Sequence, residues 1–154
     1  MDRARKMTSN ADHYRKLEQM YHQANINEIF APKITISEGK AEITMEVLPK
    51  FFHAAGALHG SVYFKMLDDV AYFAASSLLT DTFALTTQFN LHFLKPVSHG
   101  TITAIGQLVN ATKSSYISES KLYNEKGDLI AIGTGTFVKS RIELSFLESY
   151  KERL

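Results

Sequence analysis

The sequence predicts an α+β domain in which an antiparallel sheet wraps one long buried helix. Three observations carry this. The stretch 57–79, beginning ALHGSVYFKMLDDVAYFAA, is apolar nearly all the way round at helical spacing. Before it, from Lys40, apolar Ala41, Ile43, Met45 and Val47 alternate with polar Glu42, Thr44 and Glu46, as in a half-buried strand stopped by Pro49. After it come four β-rich runs, 83–94, 100–110, 114–123 and 128–139, parted by short turn text.

The elements follow in chain order. Residues 11–29 space Tyr14, Leu17, Tyr21 and Ala24 three to four apart, which predicts an amphipathic helix ended by Ala31-Pro32. The long apolar helix is entered through Gly56 and Gly60 and left near Leu79-Thr80-Asp81. The separators 95–100 and 124–128 join successive strands over short distances, so an antiparallel meander is expected. Gly133 and Gly135 share one strand face and Gly106 interrupts another strand, as close approach of the helix backbone, a bend in the sheet or ordinary bulges would each require. The chain divides into an N-terminal helical extension over 1–30, the sheet-and-helix domain over 31–142 and a C-terminal tail over 143–154. A helix swaddled by a sheet in this way is the hotdog arrangement.

Composition narrows the function classes. At 154 residues, 45% apolar and 21% charged, the chain has the make-up of an ordinary globular domain. A net charge of +1 gives no basic field for nucleic acid or an anionic membrane. With no cysteine there is no disulfide, thiolate metal site or cysteine nucleophile, and no pair of the six histidines has metal-ligand spacing with a carboxylate. The charged N-terminus lacks the apolar core of a signal peptide, so a cytoplasmic protein is expected. A membrane span over 61–79 would carry Lys65, Asp68 and Asp69 near its centre, at about 2.5–3.5 kcal/mol each. Burial in a protein core fits that stretch better.

The two adjacent carboxylates are the unusual feature. Neighbours on a helix point about 100° apart, so Asp68 and Asp69 cannot share one polar face. Burying a carboxylate is costly without a partner or a task. Asp69 is expected to partner a helix end, a Lys or a Tyr. For Asp68 the plain alternative is a hydrogen-bonded core carboxylate, and for His59 a structural cap at a tight helix entry.

His59-Gly60-Ser61, followed by Asp68 nine positions after the His, resembles the helix-start motif of the hotdog acyl-CoA thioesterases of the phenylacetic-acid-pathway type. The resemblance covers roughly 40–140. It includes Gly56, the apolar face of 62–67, Asp-x-x-Ala at 68–71, and Phe-Leu-Lys-Pro at 93–96 followed by Gly100. It implies that Asp68 is the catalytic carboxylate, that the Gly60 N–H polarises the thioester carbonyl and that His59 orients it. Thr86 falls where some members hold the attacking water with a Ser or Thr. Ser61 stands in place of a second Gly and His53 in place of an Asn, changes that bear on pocket shape and water placement. Lys113 is a candidate for the CoA phosphates.

Those roles carry physical sense. Unpaired N–H groups at a helix start lie at the positive end of the dipole, where an oxyanion would form, and Gly removes the obstructing Cβ. Asp68 would either take a proton from water or attack to form a mixed anhydride. Its burial among Val62, Phe64, Met66 and Tyr72 is expected to raise its pKa. Nine helical residues rise about 13.5 Å and turn through about 900°, so His59 and Asp68 point to opposite sides. If both act on one carbonyl, two chains must share the site. The expectation is therefore an acyl-CoA hydrolase working as a homodimer, assembled further as a dimer of dimers. It would act on acyl-CoA with no cofactor beyond the CoA of the substrate. An acyl-CoA binding or sensing protein without turnover and a hotdog hydratase are the rivals.

Overall fold

The computed structural model describes residues 2–151, with side chains from Asn10 onward. Met1 and residues 152–154, the outermost parts of the expected extension and tail, lie outside the described residues. Helix α1 (Asp2–Gln23) and α2 (Ile26–Phe30) precede strands β1 (Lys33–Ser37) and β2 (Lys40–Glu46). Helix α3 (Gly60–Ser76) leads into β3 (Thr82–Phe93), β4 (Thr101–Ala111), β5 (Ser115–Tyr123) and β6 (Leu129–Glu143). All six strands pair antiparallel in one sheet, in the order β1-β2-β4-β5-β6-β3, and the sheet wraps α3. This is the hotdog fold that the sequence predicts. No helix among the described residues is long and apolar enough to cross a membrane.

The helix is buried because the sheet supplies a concave apolar face. Val62, Met66, Leu67 and Val70 of α3 pack with Ile43, Ile102, Leu122 and Ala131 of the strands. The tightest approach is at Gly106, where a Cβ would stand 2.2 Å from the Val70 carbonyl oxygen. The helix backbone thus lies directly on β4, as close approach at that glycine requires. Gly133 and Gly135 have a different cause. A Cβ at either would meet the ring of Phe89 on β3 at 2.7 Å, so their space is filled by a neighbouring aromatic side chain rather than by the helix.

Three further departures from the sequence expectation have physical reasons. Strand β1 was not expected, because only Ile34 and Ile36 are inward over its five residues; it forms by pairing with β2 through a turn at Gly39, whose φ is 65°. The meander holds for β4, β5 and β6 but not for β3, which pairs with β6 and not β4. The loop after β3 does not turn back. It crosses the helix entry, where Tyr63 Oη donates to the Lys95 carbonyl, Leu58 N–H donates to Val97 and Val47 N–H to Gly100. The expected helix over 11–29 is an elbow of two helices, broken at Ala24-Asn25 and reaching back to Asp2.

The chain ends pack together. Gln19 of α1 donates to the carbonyls of Ser149 and Lys151, and buried His13 bonds the Tyr150 hydroxyl at 2.6 Å and the Ser76 carbonyl at 3.0 Å. Nε2 must donate to that carbonyl; burial lowers the ring's pKa, and in the neutral form so favoured Nδ1 accepts from Tyr150.

Candidate functional site

Two stripes of α3 at i, i+4 spacing face different partners. Phe64, Asp68 and Tyr72 run along β3: Phe64 meets Phe89 edge-on at 5.3 Å, Thr86 Oγ1 donates to Asp68 Oδ1 at 3.1 Å, and Tyr72 Oη donates to the Ala84 carbonyl at 3.0 Å. Thr86 and Phe89 are three apart, which in a regular strand would put them on opposite faces. A bulge between Thr86 and Gln88 supplies the extra residue that turns both toward α3. Asp68 is half-buried at the edge of a cavity of about 310 Å³ that Tyr72 and Thr86 also line.

The environment of Asp68 suits a base. Burial pushes its carboxyl up from 3.8 to about 6, against the Thr86 hydroxyl, which stabilises the ionised form. Asp69 adds to the rise and Lys65 opposes it. The source of that burial differs from expectation in part. Val62 and Met66 belong to the core, and Phe64 is 42% exposed, so the apolar helix has one uncovered face.

The second stripe, Lys65, Asp69 and Phe73, faces the α1–α2 elbow. Tyr21 Oη donates to Asp69 Oδ2 at 2.9 Å, Lys65 Nζ bonds the same oxygen, and the Tyr21 ring meets Phe73 at 5.1 Å. Asp69 therefore has both the Lys and the Tyr partner expected for it. Lys65 itself lies over the Tyr21 and Phe30 rings, which keeps its charge on an apolar surface.

Gly60 and His59 stand at the other end of α3. His59 is the N-cap, its Nδ1 accepting from the Ser61 N–H at 3.0 Å, with the Ser61 hydroxyl 2.7 Å away. With Nδ1 accepting, Nε2 is the ring's donor. Val62 N–H bonds back to the His59 carbonyl, whereas Gly60 N–H has no acceptor among the described residues. A cavity of about 360 Å³ lies there, lined by His53, Gly60, Tyr63 and Phe93 among others. His53 Nδ1 accepts from the Ala55 N–H within its loop.

One chain thus brings Asp68 and Thr86 together, and separately Gly60, His59, Ser61 and His53. Asp68 and Thr86 border one cavity and Gly60 and His53 another, while His59 and Ser61 line neither. Lys113 lies exposed in the turn between β4 and β5 and borders neither. Sequence reasoning missed the elbow residues beside Asp68, namely Met20, Ala24 and Ile26. Their signal in the sequence is only that of a helix face.

Comparisons with known proteins bear on the family and the fold. The family model described as the thioesterase superfamily matches residues 55–131, a span holding Gly60, Asp68 and Thr86 but not the elbow. A 1,4-dihydroxy-2-naphthoyl-CoA hydrolase of Listeria monocytogenes is 28% identical over 104 residues, covering 67% of this chain and 85% of that protein. Among solved structures, the PaaI protein of the Escherichia coli phenylacetic acid degradation operon gives a TM-score of 0.80 at 20% identity, covering 87% of this chain and 97% of that one. A thioesterase of Haemophilus influenzae gives 0.70 at 21% identity, covering 80% and 88%. At these identities the structural likeness is one of fold.

Proposed function

This chain belongs to the thioesterase superfamily of hydrolases, and from that membership we propose that it hydrolyses an acyl-CoA to a carboxylic acid and free CoA at a site shared by two copies. In this reading Asp68 takes a proton from a water molecule that the Thr86 hydroxyl helps to hold, and the hydroxide adds to the thioester carbonyl. The negative charge that develops on the carbonyl oxygen is met by the Gly60 N–H at the start of α3 in the second copy. Collapse breaks the carbon–sulfur bond, and the thiolate takes the proton back from Asp68. His59 orients the carbonyl, His53 shapes the mouth that Gly60 borders, and Ser61 acts through its contact with the His59 ring. Lys113 is retained as a weaker candidate for CoA phosphate, its distance from both cavities counting against it.

The observation that carries the proposal is the separation of the two half-sites along α3. An edge and a face suited to a second copy lie between them. Strand β3 is twelve residues long and, among the described residues, unpaired on its outer side, and Phe93 at 59%, Leu85 at 47% and Phe64 are exposed on or beside it. Long apolar edge strands are usually covered. Two-fold pairing there would make two equivalent sites, and two such dimers would give the expected tetramer.

Thiol release from an acyl-CoA panel tests the activity, and mixed dimers test the shared site. Asp68→Asn removes the base. Gly60→Pro removes the N–H while suiting the first helical position after the extended His59. Each variant alone is expected to be inactive. Co-refolded in equal amounts, they recover roughly one quarter of wild-type activity, because half the dimers are mixed and each carries one intact site. Absence of recovery, with mixed dimers demonstrated, would refute the shared site.

A further inference from the structure

The elbow supplies part of the wall of the cavity beside Asp68. Met20, Tyr21, Ala24 and Ile26 line it together with Asp68, Tyr72 and Thr86. The elbow is firmly fastened: Asn27 Nδ2 donates to the Tyr21 carbonyl at 2.7 Å, folding α2 back on α1, and Tyr21 is tied to Asp69, one residue from Asp68. Ile26 is 52% exposed, an apolar side chain left open at the first position of α2 and bordering the cavity. The elbow lies outside the family match, which begins at residue 55, so membership of the family assigns it no role.

Building on the thioesterase reading, we propose that the α1–α2 elbow is the wall against which the acyl group packs, and that Ala24 and Ile26 set the size of acyl group accepted. A carbonyl placed for attack beside Asp68 directs its acyl chain into this cavity. At about 310 Å³ the cavity is at the small end of the range that binding pockets span. The fitting substrate class is therefore an apolar acyl group of medium length, or a ring system of similar bulk. Each methylene buried there is worth roughly fourfold in kcat/KM. Acetyl leaves the wall untouched.

The test is kcat/KM for acetyl-, hexanoyl-, decanoyl- and lauroyl-CoA with wild type, Ala24→Leu and Ile26→Ala, each checked for folding by thermal unfolding. Ala24→Leu puts three further carbons into the cavity and is expected to lower the decanoyl-to-acetyl ratio at least about tenfold. Ile26→Ala opens the wall and moves the optimum toward lauroyl. Should Ala24→Leu fail to fold, the exposed Ile26→Ala decides. An unchanged optimum in both overturns the proposal while leaving the thioesterase reading intact. If wild type cleaves no acyl-CoA, that reading fails, and calorimetric titration with decanoate then decides the wall: binding weakened at least tenfold by Ala24→Leu upholds it, and binding absent or undiminished overturns it.

Discussion

Replacing Asp68 by Asn is expected to abolish turnover and, at the same time, to stabilise the protein above pH 6. The sign follows from the folded carboxyl being raised from 3.8 to about 6 by burial. Between those values the folded state binds more protons than the unfolded one, so stability falls as pH rises through the window, and the loss is complete above about pH 6. A shift of about two units corresponds to about 3 kcal/mol, which partial solvent access reduces to about 1–2 kcal/mol. For a chain of this size that is a rise in Tm of about 2–8 °C at pH 8. A second copy seated over the cavity adds burial and keeps the sign. The assay is differential scanning calorimetry of both proteins from pH 4 to pH 8, each variant referenced to wild type at the same pH. That referencing cancels groups such as His13, whose pKa is lowered by burial and whose contribution is lost as pH falls through 6.5. The gain is greatest at pH 8 and vanishes near pH 4. An Asn variant no more stable than wild type at pH 8, or a pH-independent difference, would show that Asp68 is not held against its own ionisation.

Other consequences are equally direct. With Asp68 acting as the base, log kcat/KM falls with unit slope below about pH 6, read from thiol release across pH; a flat acid limb would remove it from that role. A single turnover in water enriched in heavy oxygen leaves the Asp68 side chain unlabelled if water attacks the thioester directly, whereas an anhydride opened by water at the aspartyl carbon labels that side chain; an unlabelled side chain is expected, and label in Asp68 would establish the anhydride. Gly106→Ala places a methyl 2.2 Å from the Val70 carbonyl oxygen and is expected to destabilise by at least about 3 kcal/mol in urea unfolding. Tyr21→Phe removes the donor to Asp69 and is expected to cost about 1.5–3 kcal/mol by the same measurement.

The helix and most of the sheet were legible because burial writes a period into the residues: alternation in 40–47, apolar residues on every side in 57–79. The opposed directions of His59 and Asp68 follow from helix geometry alone, and their half-sites do border separate cavities. What failed depended on partners distant in the chain. Lys95–Gly100 reads as a hairpin turn, yet it crosses the helix entry, and β3 pairs with β6 instead. Two inward isoleucines were too few to announce β1. Phe64 in an all-round apolar helix suggested full burial, whereas within one chain its face is open. Thr86 was placed beside Asp68 by resemblance; the bulge that aims it there has no mark in the sequence. Ala24 and Ile26 were invisible as cavity residues, since an elbow between helices depends on what it folds over.

The order of elements along the chain has a consequence for synthesis. Helix α3 is complete by residue 76, before any residue of β3, β4, β5 or β6 has been made. Of its cover, only the α1–α2 elbow, β1 and β2 then exist, and β2 reaches its central partner β4 across more than fifty residues. A nascent chain therefore carries an incompletely covered apolar helix while the rest of its cover is still being translated. Such long-range closure is slow compared with helix formation. Pauses placed before residue 101 prolong that exposure. Expression yield is thus tied to translation speed over β3 and β4 in a way that the stability of the finished domain does not reveal.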